Sequence, residues 1–137
     1  MGLIQKFKMY RLVKYCMAVV DEAARVVEAD ESRESVLNAI EHVQKLADQG
    51  FTPAMQLLAI VHADEQRWLY DAAQAEENWT KAAELGDIEA MYDLGMFYYA
   101  GRSDRARDVV SGHYWMKKAA DAGHPLAVKF MEARYAQ

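Results

Sequence analysis

Apolar side chains along the first 28 positions recur at steps of three and four: Leu3, Phe7, Tyr10, Val13, Met17, Val20, Ala24 and Val27. That spacing lines one side of a helix, so a long first helix is expected over about residues 3–28. Asp30 or Ser32 then caps a second helix that runs to about Gln49. The same pattern places further helices near residues 53–64, 71–85, 88–100, 108–122 and 125–136. Two prolines and seven glycines leave little room for the many turns of an all-β fold. Ala, Leu, Met, Glu, Lys and Gln, the best helix formers, are plentiful. The expectation is all-α.

The hydrophobic pattern is also written more than once. KLADQGFTPA (Lys45 to Ala54), KAAELGDIEA (Lys81 to Ala90) and KAADAGHPLA (Lys118 to Ala127) stand 36 and then 37 residues apart. Repetition at this period marks stacked supersecondary units. Each phrase has a local reading. The lysine and the small residues after it form the last turn of a helix, with the cation near the negative end of the dipole. The glycine that follows, Gly50, Gly86 or Gly123, suits a left-handed C′ position. A new helix begins two or three residues later, with Thr52 as N-cap and Pro53 at N1 in the first copy. Asp87 caps in the second, and His124-Pro125 is a poorer version in the third. Beyond each phrase, Leu58, Leu94 and Met131 fall at one aligned position, and His62, Tyr98 and Tyr135 at another four residues on. Positions i and i+4 share a helix face.

The run AMYDLGMFYYAGRSDRARDVVSGHYWMKKAADAG, from Ala90 to Gly123, resembles a Sel1-like repeat, a helical-pair relative of the tetratricopeptide repeat. The residues that carry the resemblance are Ala90, Leu94, Gly95, Tyr98, Gly101, Asp108, Trp115, Lys118, Ala119, Ala120 and Gly123. The copy from Ala54 to Gly86 is looser, with Ala59 for the first glycine, no glycine after His62, and Trp79 one place late. Gly112 stands where the family has alanine, and GRSDRARD (Gly101 to Asp108) is one residue longer than the family spacing. The likeness spans roughly Val36 to Tyr135. It implies an all-α, right-handed superhelix of stacked hairpins, with residues 1–30 as an N-terminal capping helix and 31–137 as the repeat array, one domain overall. It further implies a non-enzymatic adaptor or scaffold that binds another polypeptide, such as a bacterial signalling or secretion component. The alternative is an immunity protein that occludes a basic toxin.

Candidate chemistry changes little. His42, His62, His113 and His124 lie neither three nor four residues apart, and no HExxH or CxxC occurs. His62 aligns with two tyrosines and reads as a packing residue, while His124 reads as a solvated turn residue. No GxSxG, phosphate loop or Cys/His pair is present, so neither an enzyme nor a metal or cofactor site is expected. The helix IEAMYDLGMFYYA is apolar nearly all round, with Met91, Leu94 and Tyr98 on one face and Tyr92, Met96 and Tyr99 on another. Such a helix is either covered on both sides or offers one side to a partner, where Tyr and Met are enriched. The partner-facing candidates are Tyr92, Asp93, Met96 and Tyr99 on this helix, with Gln56 and Ile60 on the helix near 53–64.

Charge narrows the partner. Net charge is −5, but residues 1–20 hold Lys6, Lys8, Arg11 and Lys14 with no acid, leaving 12 basic and 21 acidic side chains beyond them. An acidic body does not suit nucleic acid, which needs clustered cations. The basic first helix has two readings, a solvated face or an anionic membrane surface, and the solvated face is preferred. The three arginines of GRSDRARD read as a solvated loop that is also able to meet an acidic partner. The single Cys16 fits a reducing compartment, and no apolar run reaches membrane-spanning length, so a cytoplasmic location is expected. The oligomeric state is left open.

Overall fold

The structure, a computed structural model, describes residues 2–29 and 31–135. Among these residues the regular structure is entirely helical, as the pattern predicts. The helices are α1 (Leu3–Glu28), α2 (Arg33–Asp48), α3 (Thr52–Ala63), α4 (Ala72–Glu84), α5 (Ile88–Ala100), α6 (Val109–Asp121) and α7 (Pro125–Tyr135). A single isolated antiparallel bridge, Arg102 to Arg105, closes the loop before α6. The chain divides into two compact units, Met1–Leu58 and Ala59–Gln137.

In the first unit α1 and α2 pack together across a short link. The Ser32 hydroxyl accepts the Ser35 amide at 3.2 Å and caps α2; the other proposed cap, Asp30, lies outside the described residues. α1 has 26 residues and α2 has 16, lengths of roughly 39 and 24 Å. The shorter helix cannot cover the longer one. Burial along α1 therefore begins only at Cys16 and continues through Val20, Ala23, Val26 and Val27. This corrects the expected stripe twice. Leu3, Phe7, Tyr10 and Val13 are exposed, and the buried side runs through Cys16 and Ala23, not Met17 and Ala24. α3 also starts one residue early. The Phe51 carbonyl accepts the Ala54 and Met55 amides at 3.1 and 3.3 Å, so Phe51 holds the cap position and Thr52 is the first helical residue.

In the second unit α4 packs on α5, α5 on α6, and α6 on α7, each helix meeting its neighbour in sequence. The repeated phrase does what its residues dictate. Gly50, Gly86 and Gly123 adopt φ of +89°, +94° and +92°, the left-handed turn that ends each preceding helix. Aspartates start three of the helices: Asp71 begins α4, Asp87 α5 and Asp108 α6, accepting the amides of Gln74, Ala90 and Ser111 at 3.0–3.1 Å. Leu58, Leu94 and Met131, aligned in the sequence, are all buried, as are Ala54, Ala90 and Ala127. Small residues let helices close up. A Cβ on Gly95 would lie 3.2 Å from the Met116 backbone, and one on Gly112 would lie 3.0 Å from the Tyr99 ring.

A candidate interaction surface on the repeat helices

α5 is clamped from both sides. Ala90, Leu94, Gly95, Phe97 and Tyr99 are buried, and among the other positions Glu89, Tyr92, Asp93, Met96 and Ala100 form an outward strip. Phe97 sits against Trp79 of α4 at 5.5 Å between ring centroids. On the other side Tyr99 joins Met116, Ala119, Ala127 and Met131 in one apolar cluster, with Phe130 at 5.0 Å. A rigid base results, because both flanks of the helix are packed and the strip between them cannot rotate.

The structure separates the candidate partner-facing residues. Met96 is 38% exposed and Ile60 on α3 is 53% exposed. Tyr92, Asp93 and Gln56 are half-buried. Tyr99 is only 7% exposed, so its side chain belongs to the core and not to the surface set. The reason is local: Gly112 lacks the Cβ that would collide with the ring, so α6 opens a slot that Tyr99 fills.

Tyr92 is held by a residue whose sequence reading was different. His124, expected to be solvated in its turn, is 6% exposed. Its ring stacks on Tyr92 at 4.3 Å and 9° between planes. Nδ1 accepts the Ala127 amide at 3.3 Å as the N-cap of α7, which leaves Nε2 to donate to Glu89 at 2.8 Å. The turn after the third glycine thus fixes the orientation of Tyr92 from below. Neither sequence spacing nor residue type signalled that pairing, because Glu89 and His124 are 35 residues apart.

The arginine loop is likewise committed inward. Arg102 lies over the Phe97 ring at 4.7 Å and donates to the Gly101 carbonyl at 2.7 Å. Arg105 pairs with Glu76, and Arg107 donates to the Tyr99 carbonyl at 2.7 Å. The loop is tied further by Ser103, which donates to Glu65, and by the Tyr70 hydroxyl, which donates to Asp104 at 2.6 Å. Burial, then that hydrogen bond, pushes the Tyr70 phenol up to about 12. Tyr98 donates to Glu76 at 2.6 Å, and burial raises its phenol as well. These arginines therefore brace the hairpin and do not form a free cationic patch.

His62 is buried with Nδ1 donating to the Leu69 carbonyl at 2.8 Å, a packing role as its alignment with tyrosines suggests. Among the described residues no group of three His, Cys, Asp or Glu side chains is placed to hold a metal ion. No described helix is long and apolar enough to cross a membrane.

The comparisons with known proteins agree with this geometry. Over 55 residues the chain is 36% identical to the ERAD-associated E3 ubiquitin-protein ligase component HRD3A of Arabidopsis thaliana, an alignment covering 40% of this chain and 8% of that protein. The chain thus spans less than a tenth of that relative's length. No solved structure shows significant similarity to it. The Sel1 repeat model matches residues 53–87 and 88–124, the stretches that hold α3 with α4 and α5 with α6 and their closing turns, which is more than half of the molecule; the chain belongs to the Sel1 repeat family.

Proposed function

We propose that this protein is a non-enzymatic adaptor that binds a partner polypeptide through the outward faces of its first-in-pair helices, α3 and α5. Sel1 repeats are in general protein–protein interaction modules, and the relative in Arabidopsis is by name a component of a ubiquitin-ligase assembly. The observation that carries the reading is the strip Glu89, Tyr92, Asp93 and Met96, partly open on a helix whose other sides are packed. A preordered surface loses little conformational entropy when it binds. Ile60 and Gln56 add an apolar and an amide contact on α3. Residues 1–30 serve as the capping helix and residues 31–137 as the repeat array, in a cytoplasmic setting that suits the single cysteine.

The test is affinity capture with the full chain, identification of what binds, and titration of that partner against variants. Met96→Arg and Ile60→Arg are expected to weaken binding by roughly tenfold or more, as central interface residues do, while thermal melting stays unchanged. Undiminished affinity in both folded variants would remove the site from these helices.

A further inference from the structure

Glu89 is an exposed carboxylate with a buried support. Its side chain is 63% exposed, yet Oε2 accepts the Nε2–H of His124, a residue only 6% exposed, at 2.8 Å. A ring N–H points outward in the plane of its ring, so the carboxylate lies at the imidazole edge. The Tyr92 ring is parallel to that imidazole within 9° and 4.3 Å away. Glu89 is thus fixed beside an imidazole–phenol stack. Its other oxygen, Oε1, takes no hydrogen bond from any described residue.

The rest of the strip has one sign of charge. α5 carries Glu89 and Asp93 one turn apart and no lysine or arginine. Like charges at that spacing repel and weaken a helix. The helix dipole favours an acid in the first turn, where Glu89 stands, but not in the second, where Asp93 stands. Apolar surface adjoins the pair: Tyr92 is half-buried and Met96, three residues beyond Asp93, is 38% exposed. On α7 the position aligned with Tyr92 is the exposed Lys129, so a cation is attracted at α5 and repelled there.

We infer that α5 selects a positively charged side chain of the partner polypeptide: an arginine or lysine pairs with Oε1 of Glu89, and an apolar neighbour rests on Tyr92 and Met96. This rests on the partner-binding reading and names the chemistry that the strip accepts. A carboxylate held from behind by a buried donor is already in place when the cation arrives, so little side-chain entropy is lost on pairing. Other segments are rejected for physical reasons. An acidic one is repelled, and a wholly apolar one strips water from Oε1 and returns no partner.

The experiment is selection from a random nonapeptide library on phage, with the full chain immobilised, followed by fluorescence anisotropy of the best peptide. Enriched peptides are expected to carry Arg or Lys beside an aliphatic or aromatic residue, and their binding to weaken as salt rises. Replacing that cation with Gln is expected to raise Kd about tenfold against wild-type protein. Against Glu89→Gln it is expected to cost nothing further, because the pair is already lost. Gln at this position still accepts from His124, so an unchanged melting temperature shows that the support is intact. Enriched peptides without a cation, or a cation whose removal costs the same in both proteins, overturn this inference and leave the partner-binding reading standing. Peptides that Met96→Arg binds undiminished overturn that reading and this one with it, as does a library that yields no binder above background.

Discussion

Tyr99 carries a hydroxyl that is buried without a hydrogen-bond partner in the structure. Such a group costs desolvation and returns nothing. Tyr99→Phe is therefore expected to be neutral or to stabilise by up to about 1 kcal/mol. Tyr99→Ala, by contrast, is expected to cost roughly 3–5 kcal/mol through the cavity it leaves. Urea unfolding of both variants checks the pair, and a large loss in Tyr99→Phe would contradict the core placement. Gly112 explains why the burial of Tyr99 was not legible. The resemblance leads one to expect alanine at that position, and only the packed α5–α6 pair shows that its Cβ would occupy the space of the Tyr99 ring. Trp79 shows the same effect. Counted back from its closing glycine it sits one place later than Trp115, which aligns it with Met116; both are buried, whereas Trp115 is half-exposed. Gly86, at φ +94°, was legible from its phrase alone. Gly86→Val is expected to destabilise by about 1–3 kcal/mol, since a β-branched residue resists a left-handed backbone. Unchanged thermal stability would count against that turn.

Helix starts were mostly readable because a cap is a short-range device. Asp87 was identified directly, and Asp71 and Asp108 stand at the first positions of their expected helices and cap them. Accepting the Gln74 and Ser111 amides holds the Asp71 and Asp108 carboxyls below their ordinary value of 3.8. The sign follows: a depressed carboxyl stabilises the fold above its unfolded value, and that contribution is lost as pH falls through the folded one. Melting temperature is thus expected to hold from neutral pH to about pH 4 and to drop below it. Asp71→Asn and Asp108→Asn retain a good cap and are expected to keep the neutral-pH melting point while flattening the acid decline. Melts at a series of pH values read this out; an identical acid decline in both variants would exclude the caps as its source. α1 was less legible. Its periodicity correctly announced a helix, but helical spacing does not say how far a neighbour reaches. The 16 residues of α2 leave the first half of α1 bare.

Within each unit the helices pack on sequence neighbours, α1 on α2, and α4 through α7 in succession. Contacts between adjacent hairpins require little loop closure, and such topologies fold quickly. Refolding after rapid dilution from denaturant, followed by the fluorescence of buried Trp79 beside Phe97, is expected to finish within milliseconds. A dominant phase of seconds would show that long-range pairing limits the reaction. The all-α class, the helix ends, the turn glycines and the membership of the repeat family follow from local rules, in which a residue acts on partners within about one helical turn. Those rules operate along the chain, so the chain alone displays them. Which of the α5 tyrosines is buried, that His124 clasps Tyr92 and Glu89, that the arginine loop faces inward, and where α1 runs out of cover depend on side chains brought together from different elements, as Tyr99 meets Gly112 of α6 and Glu89 meets His124 35 residues on. Their complementarity is a matter of three-dimensional packing and of helix length against helix length, and only the folded molecule decides it.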